Sequence, residues 1–385
     1  MKYFLILTFF CSHTLFAIEW NIRGQASLWN NSSFDAMDES LIGLRYIPEA
    51  SLGHSLNGGT MLDAAVSYNT VSTFNFQSDE QKSSITPYRF WLRYSGSQFE
   101  ARVGLQQIKF GPAMILRPMM WFDQLDPRDP LQFTKGVPAA LFRYYFLNNA
   151  TLSVWGVKGD NKTKGLEIIP SEENSIELGG RAQAPVFNGE AAISYHYRTA
   201  DISPLIPEGI MFEADPIPEQ RLALDGKWDL GIGFWFEGVV AQKSLKTPSI
   251  PNDFFIGGDH SYIYQKYLTI GADYTFGLGN GLHVLGEHFI YDISPELNRR
   301  RTTTELSALM MSYNLSLWDQ ITGLIYFNWD AEEIFNYFTW RRTFDNFIFN
   351  ISMFWNPDSA LIGAGGNSSS FGRGKGFQIM VVYNH

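Results

Sequence analysis

Strict alternation of apolar and polar side chains, repeated in segments of about ten residues, is the dominant pattern of this chain. In residues 88–94 (YRFWLRY), Tyr88 and the other even-numbered side chains point one way. Arg89, Trp91 and Arg93 point the other way. The same alternation recurs in residues 99–106, 190–198, 268–276 and 377–384. Alternation with period two predicts β-strands with two unlike faces, and about ten residues is enough for a tilted strand to cross a bilayer.

The composition separates a membrane barrel from a helical membrane protein and from an ordinary soluble enzyme. Aromatic residues make up 16% of the chain and charged residues only 18%, against about 25% charged residues in a typical soluble domain. The mean hydropathy is −0.13, and no run after residue 17 is apolar enough to span a membrane as a helix. This composition fits a β-barrel that is apolar outside and polar inside. A secreted soluble β-protein, such as a lectin or a structural surface protein, is the alternative.

The lengths of the connections and the positions of the tryptophans favour the membrane barrel. Short turns, such as residues 95–98 and 148–149, alternate along the chain with longer polar segments. The longer segments are residues 71–86, 109–137, 159–174, 199–218, 242–263 and 292–302. Outer-membrane barrels have short periplasmic turns, long external loops and girdles of aromatic residues at both interfaces. Tryptophans near segment ends fit such girdles, namely Trp20, Trp29, Trp228, Trp329, Trp340 and Trp355.

Counting the alternating segments predicts an all-β fold, a transmembrane antiparallel β-barrel of about eighteen strands, with sixteen as the second choice. In lipid every backbone N–H and C=O group must be paired, so the last strand must pair with the first. An even number of strands places both termini on the periplasmic side. The predicted strands are residues 18–29, 39–48, 60–70, 87–95, 99–108, 138–147, 150–158, 175–184, 189–198, 219–228, 230–241, 264–276, 281–291, 303–315, 319–329, 340–355, 358–366 and 375–384.

The N-terminus has the features of a secretory signal peptide, residues 1–17. Lys2 supplies a positive charge, residues 3–10 (YFLILTFF) are apolar, and Ala17 is a small residue before the predicted cleavage site. Residues 18–385 then form a single outer-membrane β-barrel domain in a Gram-negative cell envelope. Cys11 is the only cysteine, so the mature barrel would be stabilised without disulfides.

Residues 109–137 (KFGPAMILRPMMWFDQLDPRDPLQFTKGV) are the clearest irregularity in the pattern. The segment is too apolar for a solvated loop, and it contains four prolines, which regular strands do not accommodate. A long loop with an apolar surface of its own is most simply folded into the barrel, where it would form a constriction. A folded cap outside the barrel is the alternative.

The segment around this loop resembles the porin-like and alginate-export-like outer-membrane families. In these families a strand of the form R-x-G-x-Q leads to an aromatic-Gly step, and a segment of D-x-x-D-P-x-D character follows. The matching residues are Arg102, Gly104, Gln106, Phe110, Gly111, Asp123, Asp126, Pro127 and Asp129, followed by Gly136, Ala139 and Ala140. The families usually have tryptophan before the glycine, where this chain has Phe110. The resemblance is confined to residues 102–145 and implies an exporter or a diffusion pore.

Charged residues on the polar faces of the strands and in the loop form the predicted pore lining. Rings of arginine select anions in pores, because guanidinium groups bind carboxylates and phosphates. Aspartates of the loop would neutralise the arginines in part and make the field across the pore transverse. The predicted lining consists of Arg89, Arg93, Arg102, Arg143 and Arg181 on strands and of Arg117, Arg128, Asp123, Asp126 and Asp129 in the loop. The alternative is that the arginines pair with acidic residues, such as Glu100 and Glu177, and only brace the wall.

The chain lacks the sequence motifs of the common enzyme classes. No HExxH, GxSxG, CxxC or P-loop motif occurs, so the sequence predicts no catalytic residue, metal or cofactor. The predicted partners are outer-membrane lipid and lipopolysaccharide, a small hydrophilic solute and further copies of the chain in a homo-oligomer. A net charge of −10 argues against nucleic acid. The predicted function is a pore for diffusion or export of small hydrophilic solutes, including anionic ones. A non-conducting barrel that anchors a partner or acts as an adhesin is the alternative.

Overall fold

Eighteen antiparallel strands, each hydrogen-bonded to its neighbours in sequence, form one closed barrel in the computed structural model. The structure describes residues 18–34, 40–203, 215–244, 262–357 and 374–385. Among these residues, none belongs to a helix that is long and apolar enough to cross a membrane. The strands are β1 (Ile18–Ser33), β2 (Leu41–Leu56), β3 (Thr60–Asn75), β4 (Glu80–Ser95), β5 (Phe99–Gln106), β6 (Val137–Tyr145), β7 (Thr151–Lys158), β8 (Ile176–Val186), β9 (Gly189–Ala200), β10 (Ile217–Asp229), β11 (Gly233–Ser244), β12 (Tyr262–Phe276), β13 (Leu282–Ser294), β14 (Thr302–Asn314), β15 (Asp319–Asn328), β16 (Glu333–Thr343), β17 (Phe347–Trp355) and β18 (Lys375–Asn384).

The barrel closes through pairing of its first and last strands, as the backbone must do in lipid. β1 pairs with β2 on one side and, from Gln25 to Ser33, with β18 on the other. Gly24 and His385 then exchange two backbone hydrogen bonds of 2.9 and 3.0 Å. β1 begins and β18 ends at the end of the barrel that carries the short turns, which we call the turn end. The opposite end, with the longer connections, is the loop end.

The two faces of the strands carry the side chains that the alternation predicts. On β10, Leu222 and Leu224 are about half exposed on the outside, whereas Arg221 and Asp225 are buried on the inside. Apolar side chains cover the outer face on the other strands in the same way. An apolar surface of this extent is not left in water, so the outer face contacts lipid and the barrel spans a membrane.

One predicted strand is in fact two. The sequence predicts a single strand over residues 340–355, but β16 ends at Thr343 and β17 begins at Phe347. Asp345 and Asn346, residue types that favour tight turns, lie between the two strands, and a backbone hydrogen bond of 2.7 Å closes the turn. The prediction is wrong here because aromatic residues continue on both sides of the turn.

Several predicted segments lie outside the described residues. They are the signal peptide 1–17, the strand 358–366 and much of the loops 199–218 and 242–263. The predicted count of eighteen strands is confirmed, and the turn at residues 344–346 separates β16 from β17, two of the eighteen strands of the described residues.

The predicted long loop at residues 71–86 is also wrong, because most of it belongs to strands. β3 continues to Asn75 and β4 begins at Glu80, so only residues 76–79 form the turn. Serine, threonine and charged residues replace the apolar ones in this part of both strands. Without an apolar face these residues lack the alternation on which the prediction depended.

A β-bulge in β4 turns Tyr88 away from the outer face. The pairing of β3 with β4 shifts register next to Pro87, and Tyr88 has no opposite residue. As the extra residue of the bulge, Tyr88 faces the interior, where its ring stacks on Phe133 with centroids 5.1 Å apart. Phe90 remains on the outside and is 62% exposed. The prediction that Tyr88 and Phe90 share a face is therefore wrong.

Gly104 adopts a conformation within β5 that a side chain would not tolerate. Its φ is 118°, and an added Cβ would overlap the carbonyl oxygen of Phe90 on β4. Nearby, the side-chain amide of Gln106 donates to the backbone oxygens of Arg102 at 3.2 Å and Ala139 at 2.8 Å. The glycine permits close approach of β4, and the glutamine binds carbonyls of β5 and β6. These roles give the R-x-G-x-Q pattern a structural reason.

Replacing Gly104 by alanine is expected to lower the free energy of unfolding by about 1–3 kcal/mol, the usual cost of a strained backbone position. The measurement is the urea concentration at which the folded, faster-migrating band disappears from unheated detergent gels. Gly323→Ala on β15 is the matched control, because no atom lies within 4 Å of an added Cβ there. Equal midpoints for the two variants would contradict the role given to Gly104.

Candidate functional site: the lumen and its inner loop

The connection between β5 and β6, residues 107–136, folds into the barrel, and we call it the inner loop. Ile115 and Leu116 pack in a buried cluster with Leu285 of β13 and Phe335 of β16. A second cluster joins other residues of the loop to β6, β7, β10 and β11. The prediction that this segment folds inward is thereby confirmed.

The inner wall is not polar throughout, because the inner loop covers part of it. Trp235, Leu285, Leu306 and Phe335 point inward and are at most 1% exposed. All four belong to the cluster that receives the inner loop. The apolar patch on β11–β17 therefore serves as the seat of the loop, which the alternation alone did not indicate.

Glu237 on β11 binds two separate points of the inner loop. Its carboxylate accepts the backbone N–H of Ala113 at 2.8 Å and that of Met119 at 3.0 Å. Gly111, with a φ of 80°, lies so close that an added Cβ would overlap this carboxylate. The aromatic-Gly step at Phe110 and Gly111 thus lets the backbone pass over Glu237.

Glu287 on β13 binds the next turn of the loop. It accepts three consecutive backbone N–H groups, of Met114 at 2.7 Å, Ile115 at 3.0 Å and Leu116 at 2.6 Å. The indole N–H of Trp235 donates to the same carboxylate at 3.0 Å. Hydrogen bonds to a carboxylate are about twice as strong as neutral ones. Glu237 and Glu287 together, called the carboxylate latch, therefore fix residues 113–119 to the wall.

Two of the loop aspartates pair with arginines of the loop itself. Asp123 accepts two hydrogen bonds from Arg117, at 2.9 and 3.0 Å, and the two residues are 1% and 4% exposed. Asp126 pairs with Arg128 at 2.7 Å, and Arg128 also donates to the hydroxyl of Tyr337 at 3.1 Å. These pairs stabilise the fold of the loop, and Arg117 and Asp123 are too deeply buried to contact a solute.

The third aspartate, Asp129, shapes the backbone of the loop. Its carboxylate accepts the N–H groups of Leu131 at 2.9 Å and of Phe133 at 3.0 Å. Burial raises the pKa of this carboxyl above its usual range, although the two hydrogen bonds act in the opposite direction. The three aspartates therefore bind groups of the loop, and the structure does not pair them with the predicted arginines of the wall.

Three arginines of the wall share one glutamate near the turn end. Glu100 lies 3.0 Å from Arg102, 3.8 Å from Arg93 and 4.0 Å from Arg143, measured between side-chain oxygen and nitrogen atoms. Asp63 accepts a hydrogen bond from Arg93 at 3.0 Å. We call these five residues the Glu100 cluster. Three cations face two anions in it, and the arginine side chains are 20–29% exposed.

A cavity of about 430 Å³ opens beside this cluster, below the first residues of the inner loop. Phe110, Gly111 and Pro112 form part of its lining. Its charged lining consists of the cations Lys109, Arg143, Arg181 and Lys227 and the anions Glu190 and Asp225. Arg181 is bound to Asp225 by two hydrogen bonds, of 2.6 and 2.8 Å. The cavity, called the turn-end cavity, therefore has more positive than negative groups.

Arg89 does not reach this cavity but fastens the far end of the inner loop. It donates to the backbone oxygens of Tyr88 at 2.6 Å and of Thr134 at 3.1 Å. Arg45, next to it, lies over the rings of Trp29 at 5.3 Å and Phe133 at 4.4 Å. Of the predicted lining residues, only Arg93, Arg102, Arg143 and Arg181 come together near the turn end.

A second connection, residues 159–175, packs on the inner loop from the loop end. Gly165, with a φ of 50°, contacts the backbone of Met120 so closely that an added Cβ would overlap its carbonyl oxygen. Lys164 is buried and pairs with Glu177 at 2.7 Å. Two stacked loops therefore fill this sector of the lumen.

Buried ion pairs between β9, β10 and the second loop were missed in the sequence. Arg198 and Arg221 both bind Glu167 of that loop and Glu219 of β10, at 3.2 Å or less. Glu237 of the carboxylate latch was missed as well. All the strand members stand at inward positions of their strands. Extending the alternation of each strand places them in the lumen but does not identify their partners.

Comparison with known proteins shows that other solved structures share this barrel fold. No family model and no curated protein matches the chain. The solved structure of OccAB1 from Acinetobacter baumannii matches with a TM-score of 0.58 and 9% identity, over 96% of each chain. OccD3 (OpdP) from Pseudomonas aeruginosa matches with a TM-score of 0.56 and 7% identity, over 95% of this chain and 91% of that one.

A third match is OmpT of Vibrio cholerae, an outer membrane protein solved in a trimer form, with a TM-score of 0.50 and 8% identity, over 96% of this chain and all of that one. At this identity the likeness concerns the fold. The fold agrees with the porin-like part of the resemblance in sequence, and the alginate-export-like part stays a prediction. The chain is therefore an outer-membrane β-barrel with the porin fold.

Proposed function

We propose that this barrel is a pore through which small hydrophilic solutes cross the outer membrane, with a preference for anionic ones. The observation that carries the proposal is the excess of positive groups around the turn-end cavity. Four cations and two anions line the cavity, and in the adjoining Glu100 cluster three arginines share two carboxylates. A solute that passes below the inner loop meets both groups.

The local excess of positive charge matters more than the negative net charge of the chain. The whole chain carries −10, but exposed charges are screened over about 8 Å at physiological salt. Only groups at the narrowest part of the path therefore act strongly on a solute. The two carboxylates of the Glu100 cluster cannot satisfy three guanidinium groups, so donors remain for the carboxylate or phosphate of a solute.

The test is a recording of the purified protein in a planar bilayer under a potassium chloride gradient. We expect discrete conductance steps and a zero-current potential whose sign reports chloride preference. Steps with a cation-selective potential would overturn the anion preference, while the proposal that the barrel is a pore would stand. A protein that is folded on unheated gels but gives no steps would overturn the pore itself.

A second candidate function is a closed barrel that anchors a partner. The stacking of Gly165 of the second loop on Met120 of the inner loop favours it, because stacked loops can fill a lumen. The same recording separates the two candidates. Self-association is a further part of the proposal, and OmpT of Vibrio cholerae, solved in a trimer form, is the structural precedent for it.

A further inference from the structure

Exposed apolar side chains stand on the tips of the turns at the turn end. Leu147, Phe187 and Leu317 are 92%, 96% and 96% exposed, more than any other large apolar side chain among the described residues. Each belongs to a turn between two strands, namely β6–β7, β8–β9 and β14–β15. Their position cannot be a consequence of barrel packing, since they touch almost nothing.

The apolar tips form one continuous arc of the rim. The six successive turns from β6–β7 to β16–β17 all carry a large apolar residue that is at least 44% exposed. The tip residues in chain order are Phe146, Leu147, Phe187, Leu230, Ile232, Leu278, Leu315, Leu317, Trp318 and Phe344. The two remaining turns of the same rim, residues 57–59 (NGG) and 96–98 (GSQ), are polar. We call the six turns the apolar rim.

The geometry of the turns does not require these residues. Asparagine and glycine, which do favour turns, are also present in the apolar rim. Phe187 has a φ of 54°, a left-handed conformation that is costly for a bulky residue. An aromatic residue at such a position, almost fully exposed, indicates a contact outside the chain.

The apolar rim continues the lipid-facing wall without a break. Tyr144 on the outer face of β6 packs against Phe146 of the next turn, with ring centroids 4.8 Å apart. Tyr274 and Phe276 pack in the same way at the end of β12, at 4.9 Å. Asp345 is the only charged residue within the six turns. Continuity with the lipid-facing surface and near absence of charge both favour lipid over a soluble protein partner.

We propose that the apolar rim is immersed in the boundary between headgroups and acyl chains of the membrane leaflet at the turn end. Apolar side chains at this boundary are typically buried about 5–10 Å deep. The polar turns at residues 57–59 and 96–98 stay in water. The barrel is therefore seated deeper along β6–β17 than along β2–β5, which inclines its axis to the membrane.

The test compares spin labels on the two kinds of turn in the same protein. Full-length variants with Cys11→Ser receive one cysteine each, Leu147→Cys or Leu317→Cys on the apolar rim and Asn57→Cys or Ser97→Cys on the polar turns. The proteins are placed in phosphatidylglycerol nanodiscs, which leave both ends open to reagents. Collision rates with oxygen, which enters lipid, and with a water-soluble nickel chelate are then measured.

We expect nickel collision rates at least about threefold lower on the apolar rim than on the polar turns, because the boundary excludes the chelate. Oxygen collision rates should be higher there. Equal nickel rates in both sets would overturn the proposal and place the rim in water. Labels on the rim that neither reagent reaches would also overturn it, since a protein partner or a second copy would then cover the rim.

Discussion

Replacing Glu237 and Glu287 together by alanine is expected to raise the single-channel conductance at least about twofold and to make the open level noisy. The two carboxylates accept five backbone N–H groups of residues 113–119. Each buried N–H left without a partner costs about 1–3 kcal/mol. Residues 113–119 should therefore leave the wall, and the lumen should widen and fluctuate.

Two controls separate the carboxylate latch from a general loss of charge. Glu49→Ala removes an inward carboxylate that binds Arg23 of the wall and should leave the open level quiet. The variants Glu237→Gln and Glu287→Gln keep one oxygen acceptor each, so their double variant should fall between wild type and the alanine variant. A folded alanine variant with the conductance and noise of wild type would contradict the latch.

Replacing Arg102 and Arg143 together by alanine is expected to shift the zero-current potential in a salt gradient toward cation preference. The Glu100 cluster would change from three arginines and two carboxylates to one arginine and two carboxylates. The turn-end cavity would lose one of its four cations as well. Arg342→Ala is the control, because this arginine stands near the turn end and outside the Glu100 cluster, where it pairs with Asp319.

A change in conductance without a change in potential would give these arginines a structural role. In that case Arg102 and Arg143 only brace the wall, which is the alternative reading of the sequence, and the anion preference has to be dropped.

The strands could be predicted from the sequence because their signal is local. On β10, Leu222 and Leu224 alternate with Arg221 and Asp225 as expected, and the structure places them on opposite faces. Where one face is not apolar the signal fails, as in the extension of β3 to Asn75. Turns within aromatic runs are missed for the opposite reason, because apolar residues continue across the turn, as at residues 344–346.

The inner loop makes contacts that could not be predicted from local sequence patterns. Its apolar composition was enough to predict that it folds inward. Its partners were not predictable, because Glu237 and Glu287 are distant in sequence and contact the loop through backbone N–H groups, which carry no sequence signal. The same holds for Asp123, whose pairing with Arg117 depends on the path of the loop.

Single-channel recording of the intact protein beside a variant that lacks residues 111–135 tests the central claim, a conducting lumen narrowed by the inner loop. We predict steps from both proteins, with larger steps from the deletion variant, because the deletion removes residues 113–119, which the carboxylate latch holds against the wall. It also removes Gly111 and Pro112 from the lining of the turn-end cavity. Both proteins must migrate as folded barrels on unheated gels. Absence of steps from both folded proteins would contradict the claim.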